Sequence, residues 1–314
     1  MKKNIALCLN DKYVDFCYVT MFSILENKSS TDKIIFHLLT DYFSDKNQEK
    51  LKSLVAESND LVKIHYVDKR KFDGLNMSWS VYGWFRIVIP EVVDKTVSRV
   101  LYLDCDTIVN TSLDYLFNLD ISGKSIAAVI DRESFNKSTF ERLNYAKEKQ
   151  YICSGVLLIN VDFWRENNIA EKIYDFGIKY PEKTVFPDQC AINYVCQDSK
   201  IMLPLKFGII NNFFSAPHRY NKYEVLDTIK SPEIIHYAGN SPWRYSSNHH
   251  FYRKTWWYYK RKSKVGYNTI NSNYIKSIII HYRKALKFIV TNLKPYPYRK
   301  PSTISKKEVL DKLK

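Results

Sequence analysis

The stretch Val100-Leu101-Tyr102-Leu103-Asp104-Cys105-Asp106 carries an apolar run straight into two carboxylates. Four consecutive large apolar residues read as a buried strand, and an acidic pair at its exit reads as chemistry rather than packing. Side chains at i and i+2 of an extended chain project the same way, so Asp104 and Asp106 are expected to converge on one hard cation such as Mn²⁺ or Mg²⁺. In open α/β sheets, ligands gather at the carboxyl ends of strands.

Upstream, β-branched runs at 5–9, 34–39 and 62–67 alternate with helical patterns at 17–26 and 46–56. That βαβαβ order predicts a parallel, doubly wound α/β sheet. Ser78 is placed to cap a helix over 79–89 that contains Arg86 and that Pro90 ends. Downstream, the run 126–130 ends in Asp131 and the run 156–159 ends in Asn160, both reading as buried strands with polar exits. Pro187 suits the first turn of a helix through Cys196, which puts Asp188 and Gln189 at its N-terminus. A last core strand at Ile234-Ile235 delivers His236, three residues before a permissive Gly239. From the residues alone, His236 is either a third ligand beside the two aspartates or a satisfied core histidine.

The 314 residues carry a formal net charge of +15. From Tyr245 onward there are 17 Lys/Arg and two acids, so the neutral body 1–244 is distinct in composition from a basic, aromatic extension 245–314. Within it, Ile275, Ile279, Tyr282, Leu286 and Ile289 fall at helical spacing, with Lys276, Arg283, Lys287 and Lys294 on another face. This predicts a basic amphipathic helix, suited to an anionic membrane surface, to nucleic acid, or to packing on the main body. The six cysteines form no C-x-x-C pair, as expected of free thiols in a reducing compartment. The apolar N-terminal run is too short for a secretory core, and no stretch is long enough for a membrane span. The expected location is therefore the cytoplasm.

Taken in order, the 100–106 stretch, Ser154-Gly155-Val156-Leu157-Leu158-Ile159-Asn160, Asp188-Gln189 and His236-x-x-Gly239 followed by Pro242-Trp243 resemble glycosyltransferase family 8. That family holds the bacterial lipopolysaccharide α-galactosyl- and α-glucosyltransferases and glycogenin, and the similarity covers roughly residues 4–245. The resemblance implies a GT-A fold, a Rossmann-like sheet for nucleotide-diphospho-sugars, spanning 1–244. It implies transfer of galactose or glucose from a UDP-sugar, with Mn²⁺ or Mg²⁺ and with retention of configuration, to a glycan or lipid-linked saccharide acceptor of the cell surface.

By the same resemblance the metal site falls on Asp104, Asp106 and His236. Contacts to the base and ribose fall on Cys8, Asn10 and Lys12, with Tyr13 close by. Arg86, Asp131, Asp188 and Gln189 fall at the donor sugar, the last three being the candidates for catalysis, and Cys105 and Gly239 complete the donor-binding set. Such enzymes work at the inner face of the cytoplasmic membrane, which favours membrane association for the extension and no nucleic-acid partner.

Two departures stand out. The family's H-x-x-G-x-x-K-P-W is one residue shorter here, with Ser241 where the lysine belongs, and Cys153 replaces the asparagine of F-N-x-G-V. They keep open an alternative, a weak or inactive homologue that binds a sugar nucleotide or glycan.

Overall fold

The computed structural model describes residues 1–239, 241–244, 250–265 and 305–313. The amphipathic pattern at 274–290 lies outside these described residues.

A seven-stranded sheet runs in the order β3-β2-β1-β4-β7-β6-β8. Its strands are β1 (Lys2–Cys8), β2 (Lys33–Thr40), β3 (Leu61–Tyr66), β4 (Arg99–Leu103), β6 (Ile126–Ile130), β7 (Ile152–Asn160) and β8 (Lys200–Leu203). A separate ribbon pairs β5 (Thr107–Val109) with β9 (Ile234–His236) antiparallel, setting Thr107 opposite His236.

Alternation along each strand builds two cores. Ile5, Leu7, Leu101 and Leu103 pack to one side of the sheet, while Ala6, Cys8, Val100 and Tyr102 pack to the other. The helix Val14–Asn27 covers the first side and the helix Pro187–Val195 the second.

Two expectations are corrected. β7 runs antiparallel to both β4 and β6, so the sheet is mixed rather than wholly parallel. The residues of β7 nearest the ligand edge are consequently its first ones, Cys153 to Gly155, whereas Asn160 at its exit lies beside Arg99 at the far edge.

The helix expected over 79–89 is interrupted. Ser80, not Ser78, caps a turn Val81–Trp84, a tighter 3-10 turn Phe85–Val88 follows, and Pro90 lies in the first turn of a further helix Ile89–Val92. Proline lacks a donor that this position does not need, so it opens that turn instead of closing one.

The expected strand at Ile234 is present, buried, and delivers His236 as β9 of the ribbon. Beyond the compositional change at Tyr245, described residues still reach the first core. The helix Arg253–Lys262 buries Trp256 fully, in the same core as Val14 and Ile24, and Val309 of the helix Lys306–Asp311 joins it.

Candidate active site

Asp104 and Asp106 lie past the end of β4, in the turn that leads into β5. Strand alternation therefore does not align them; the turn does, held by the Thr107 hydroxyl donating to the Asp104 carbonyl at 2.9 Å. Asp104 is fastened to β7 by its amide, which donates to the Gly155 carbonyl at 2.9 Å. The ribbon brings His236 alongside, its own amide donating to Ile209 O at 2.8 Å, while the next amide, Tyr237, donates to Asp106 O at 2.9 Å.

The result is a tight constellation. His236 Nε2 stands 3.4 Å from Asp104 Oδ2 and 3.2 Å from Asp106 Oδ1, and ligand atoms of the three residues all lie within 4.8 Å of one another. Burial alone would lower the His236 pKa, but the facing carboxylates of Asp106 and Asp104 drive it well above the ordinary value. Two carboxylates on one imidazole nitrogen demand a positive charge between them, which a proton or a divalent cation supplies.

A second layer is built on Arg86, a fully desolvated guanidinium. Nε donates to Gly83 O at 2.8 Å and Nη1 to Ser154 O at 2.6 Å. Ion pairs reach Asp104 Oδ1 at 3.1 Å and Asp188 Oδ2 at 3.2 Å, with the Tyr102 ring 4.3 Å beneath. A planar fork suits this bridging task as a lysine could not. Burial pushes the Asp104 carboxyl up, yet Arg86, His236 and the Tyr102 hydroxyl together hold it well below the usual range. At Asp188 burial wins, and the carboxyl sits above its ordinary value despite Arg86.

Ser154 joins the layers. Its hydroxyl donates to Asp188 Oδ2 at 3.1 Å, and its amide donates to Gln189 Oε1 at 2.9 Å. Asp131 caps the turn after β6, accepting from Glu133 N at 2.9 Å, and burial raises its pKa to about 6.

On the β1 side, Cys105 Sγ donates weakly to Cys8 O at 3.7 Å. Burial pushes the Cys8 thiol far up and keeps it protonated. The Asn10 Oδ1 atom is buried with no hydrogen-bond partner among the described residues, an acceptor open to a donor. The Tyr13 ring packs at a tilt, 4.9 Å from that of Phe16, which lies 4.3 Å from Trp243, itself 4.9 Å from Trp256. Burial and the nearby Asp106 raise the Tyr13 hydroxyl to about 12, with Arg244 acting the other way. Lys12 and Gly239 are exposed and lie outside this network, Gly239 taking the left-handed φ of +71°.

Four contributors had no role assigned from the sequence, although three of them stand in its motifs: Tyr102, Gly83, Ser154 and Gly155. The glycines are the more instructive. A Cβ on Gly83 would come 2.9 Å from Asp188 Oδ1, and one on Gly155 would come 2.1 Å from His236 Cε1 and 2.8 Å from Asp104 Oδ2. Both are bare so that carboxylates and imidazole can close in. A glycine inside an otherwise apolar strand, as in Ser154-Gly155-Val156, is the signal that pointed there.

A family model described as Glycosyl transferase family 8 matches residues 4–247. The glycosyltransferase GlyB of Streptococcus pneumoniae serotype 4 (strain ATCC BAA-334 / TIGR4) is 31% identical over 254 residues, covering 78% of this chain and 59% of that relative, so this chain spans well under two thirds of its length. A lipopolysaccharide 1,2-glucosyltransferase of Escherichia coli is 27% identical over 253 residues, covering 78% of this chain and 74% of that one. Among solved structures, the galactosyltransferase LgtC in complex with donor and acceptor sugar analogs superimposes with a TM-score of 0.77 at 20% identity, over 86% of this chain and 99% of that one. The mixed sheet with its ligand edge at β1, β4 and the start of β7 is thus a GT-A fold. By the extent of the family match, the chain belongs to glycosyl transferase family 8.

Proposed function

We propose that the chain is a retaining, divalent-metal-dependent hexosyltransferase that moves galactose or glucose from a UDP-sugar to a cell-surface glycan acceptor such as lipopolysaccharide or capsular polysaccharide. The observation that carries this reading is the closed set Asp104, Asp106 and His236, bridged through Arg86 to Asp188. The two-oxygen, one-nitrogen donor set fits Mn²⁺ or Mg²⁺, and the space that a Cβ at Gly155 would fill is what lets those ligands approach. A cation held there supplies Lewis-acid neutralisation of the charge that builds on a departing diphosphate.

The chain's own groups do the remaining work. Arg86 holds the Asp104 carboxyl down and opposes the rise that burial imposes on Asp188, and it orients both, since breaking any of its bonds would leave a buried charge unmatched. Asn10 offers its unpartnered carbonyl oxygen to a nucleobase N–H. Asp188 Oδ2 accepts from Ser154 and from Arg86 at once, which damps its nucleophilicity and favours a role in holding sugar hydroxyls. Gln189 likewise commits its oxygen to Ser154. We therefore favour attack of the acceptor from the same face as the leaving group, with Asp188, Gln189 and Asp131 orienting the donor.

Ser241 is buried where the family's lysine would stand, and Arg244 is exposed beside Tyr13. We assign Arg244 the task of meeting the diphosphate. The extension 245–314 is assigned to peripheral contact with an anionic membrane, the protein working in the cytoplasm. Its support is the basic, aromatic composition, and no helix among the described residues is long and apolar enough to cross a bilayer. Flotation with anionic vesicles, comparing the native chain with one carrying glutamine at 276, 283, 287 and 294, checks it. Equal binding by the two would sink the membrane assignment.

A panel of UDP-sugars with Mn²⁺, reading UDP release without acceptor, tests the activity. Selective hydrolysis of UDP-galactose or UDP-glucose supports a transferase. Silence across the panel with Mn²⁺ and UDP still bound would replace it by a sugar-nucleotide-binding module.

A further inference from the structure

We propose that Cys153 is the positioning residue for His236: its thiol sulfur receives the Nδ1 proton, so that Nε2 is the nitrogen turned to the cation. The inference rests on the metal-dependent reading above. Cys153 Sγ lies 3.7 Å from Nδ1, while the carboxylates of Asp106 and Asp104 face Nε2 on the other side of the ring. A neutral imidazole carries one ring proton, and the partner of the outer nitrogen decides which nitrogen keeps it.

The placement follows from β7. Residues two apart on a strand share a face, so Cys153 and Gly155 both look toward His236. Gly155 leaves room for the ring edge, a Cβ there falling 2.1 Å from Cε1 and 2.6 Å from Nδ1, and Cys153 supplies the atom that Nδ1 meets. Cys153 is buried, which leaves solvent little access to take over the contact.

A thiol is a weak acceptor compared with the carboxylate, carbonyl or water that ordinarily backs a ligating histidine. Cys153 therefore orients the ring while adding little to its basicity. An oxygen acceptor at the same place would bind a divalent cation more tightly.

The test is calorimetric titration of Mn²⁺ alone into the full chain for the native protein, Cys153→Ala and Cys153→Asn, with long-range nitrogen NMR of His236 in the Mg²⁺-loaded state. Removing the partner is expected to weaken Mn²⁺ binding about tenfold, the lower end of the range for outer-partner loss. It should also mix the two His236 tautomers without moving the melting midpoint, and the amide oxygen of Asn should restore or exceed native affinity. Cys153→Val, which fills the site without an acceptor and is expected to lose affinity as alanine does, serves if the alanine protein does not fold. Native affinity, within twofold, in the Ala or Val protein, or a Mg²⁺-loaded native chain carrying its proton on Nε2, overturns the inference. His236→Ala runs alongside. If it abolishes Mn²⁺ binding while the Cys153 variants match the native chain, only this inference falls; if it binds Mn²⁺ as well as the native chain, the metal-dependent reading falls too.

Discussion

Replacing Gly155 by alanine puts a methyl group where the His236 ring already stands. The new carbon would lie 2.1 Å from Cε1, 2.6 Å from Nδ1 and 2.8 Å from Asp104 Oδ2, and real Cβ contacts essentially never fall under 3.0 Å. The ring must therefore move by about 0.9 Å or more. It has little freedom to do so, because its backbone is held by Ile209 on one side and by the Thr107 pairing on the other. Metal sites tolerate ligand shifts of only about 0.2 Å, and a misplacement near 1 Å costs on the order of 100-fold in rate. We expect Mn²⁺ affinity to drop at least tenfold and kcat/KM about 100-fold, with overpacking costing roughly 1–3 kcal/mol of stability. Calorimetry with Mn²⁺, UDP-sugar turnover and chemical denaturation read the three effects. The double variant Gly155→Ala, His236→Ala separates them: it should regain stability, since the clash is gone, but not metal binding. Native Mn²⁺ affinity and turnover in the single variant would refute the account of β7 as a clearance built for His236.

Asp131→Asn should stabilise the protein while impairing transfer. Its folded pKa of about 6 lies above the unfolded value, so the buried carboxylate is a liability above pH 6, worth up to about 3 kcal/mol at two units. The gain should fade as pH falls through 6 toward 4, and a melting curve insensitive to the substitution at pH 8 would contradict this. Acid should destabilise the native chain through His37, whose pKa is held down at about 3 by burial, then by His65 and Lys63. The unfolded chain binds that proton below about pH 6.5 and the folded chain does not, so stability falls by about 1.4 kcal/mol per pH unit between 6.5 and 3. Denaturation at stepped pH should show that slope flattened in His37→Gln. Arg244→Ala should weaken UDP binding about tenfold, the worth of one charge-assisted contact, with Mn²⁺ affinity intact; unchanged UDP affinity and turnover would remove Arg244 from the site.

The acidic pair was legible because acidic residues directly behind an apolar strand have few structural uses. The reason first given for their convergence, strand alternation, was not the operative one: Asp104 and Asp106 meet through a turn. Arg86 was visible as a residue, but not as the bridge between Asp104 and Asp188, because that depends on β7 lying beside β4. The direction of β7 could not be read from Val156-Leu157-Leu158-Ile159, since a strand buried on both faces carries the same pattern whichever way it runs. At Trp256 composition left a membrane surface, nucleic acid and packing on the body open, and tertiary packing made it core. Gly83 and Gly155 act by lacking a side chain, and only the neighbours reveal what that absence admits.

The β5–β9 ribbon also sets an order of events. Asp106 and His236 are separated by 130 residues and meet only when β9 pairs with β5. Closing so long a loop is slow compared with pairing β1 to β2, and on a ribosome it waits for the last third of the chain. Before that moment the nascent protein holds Asp104 and Asp106 without His236. The three-residue cluster is completed late and all at once, after the sheet that must bear it has formed.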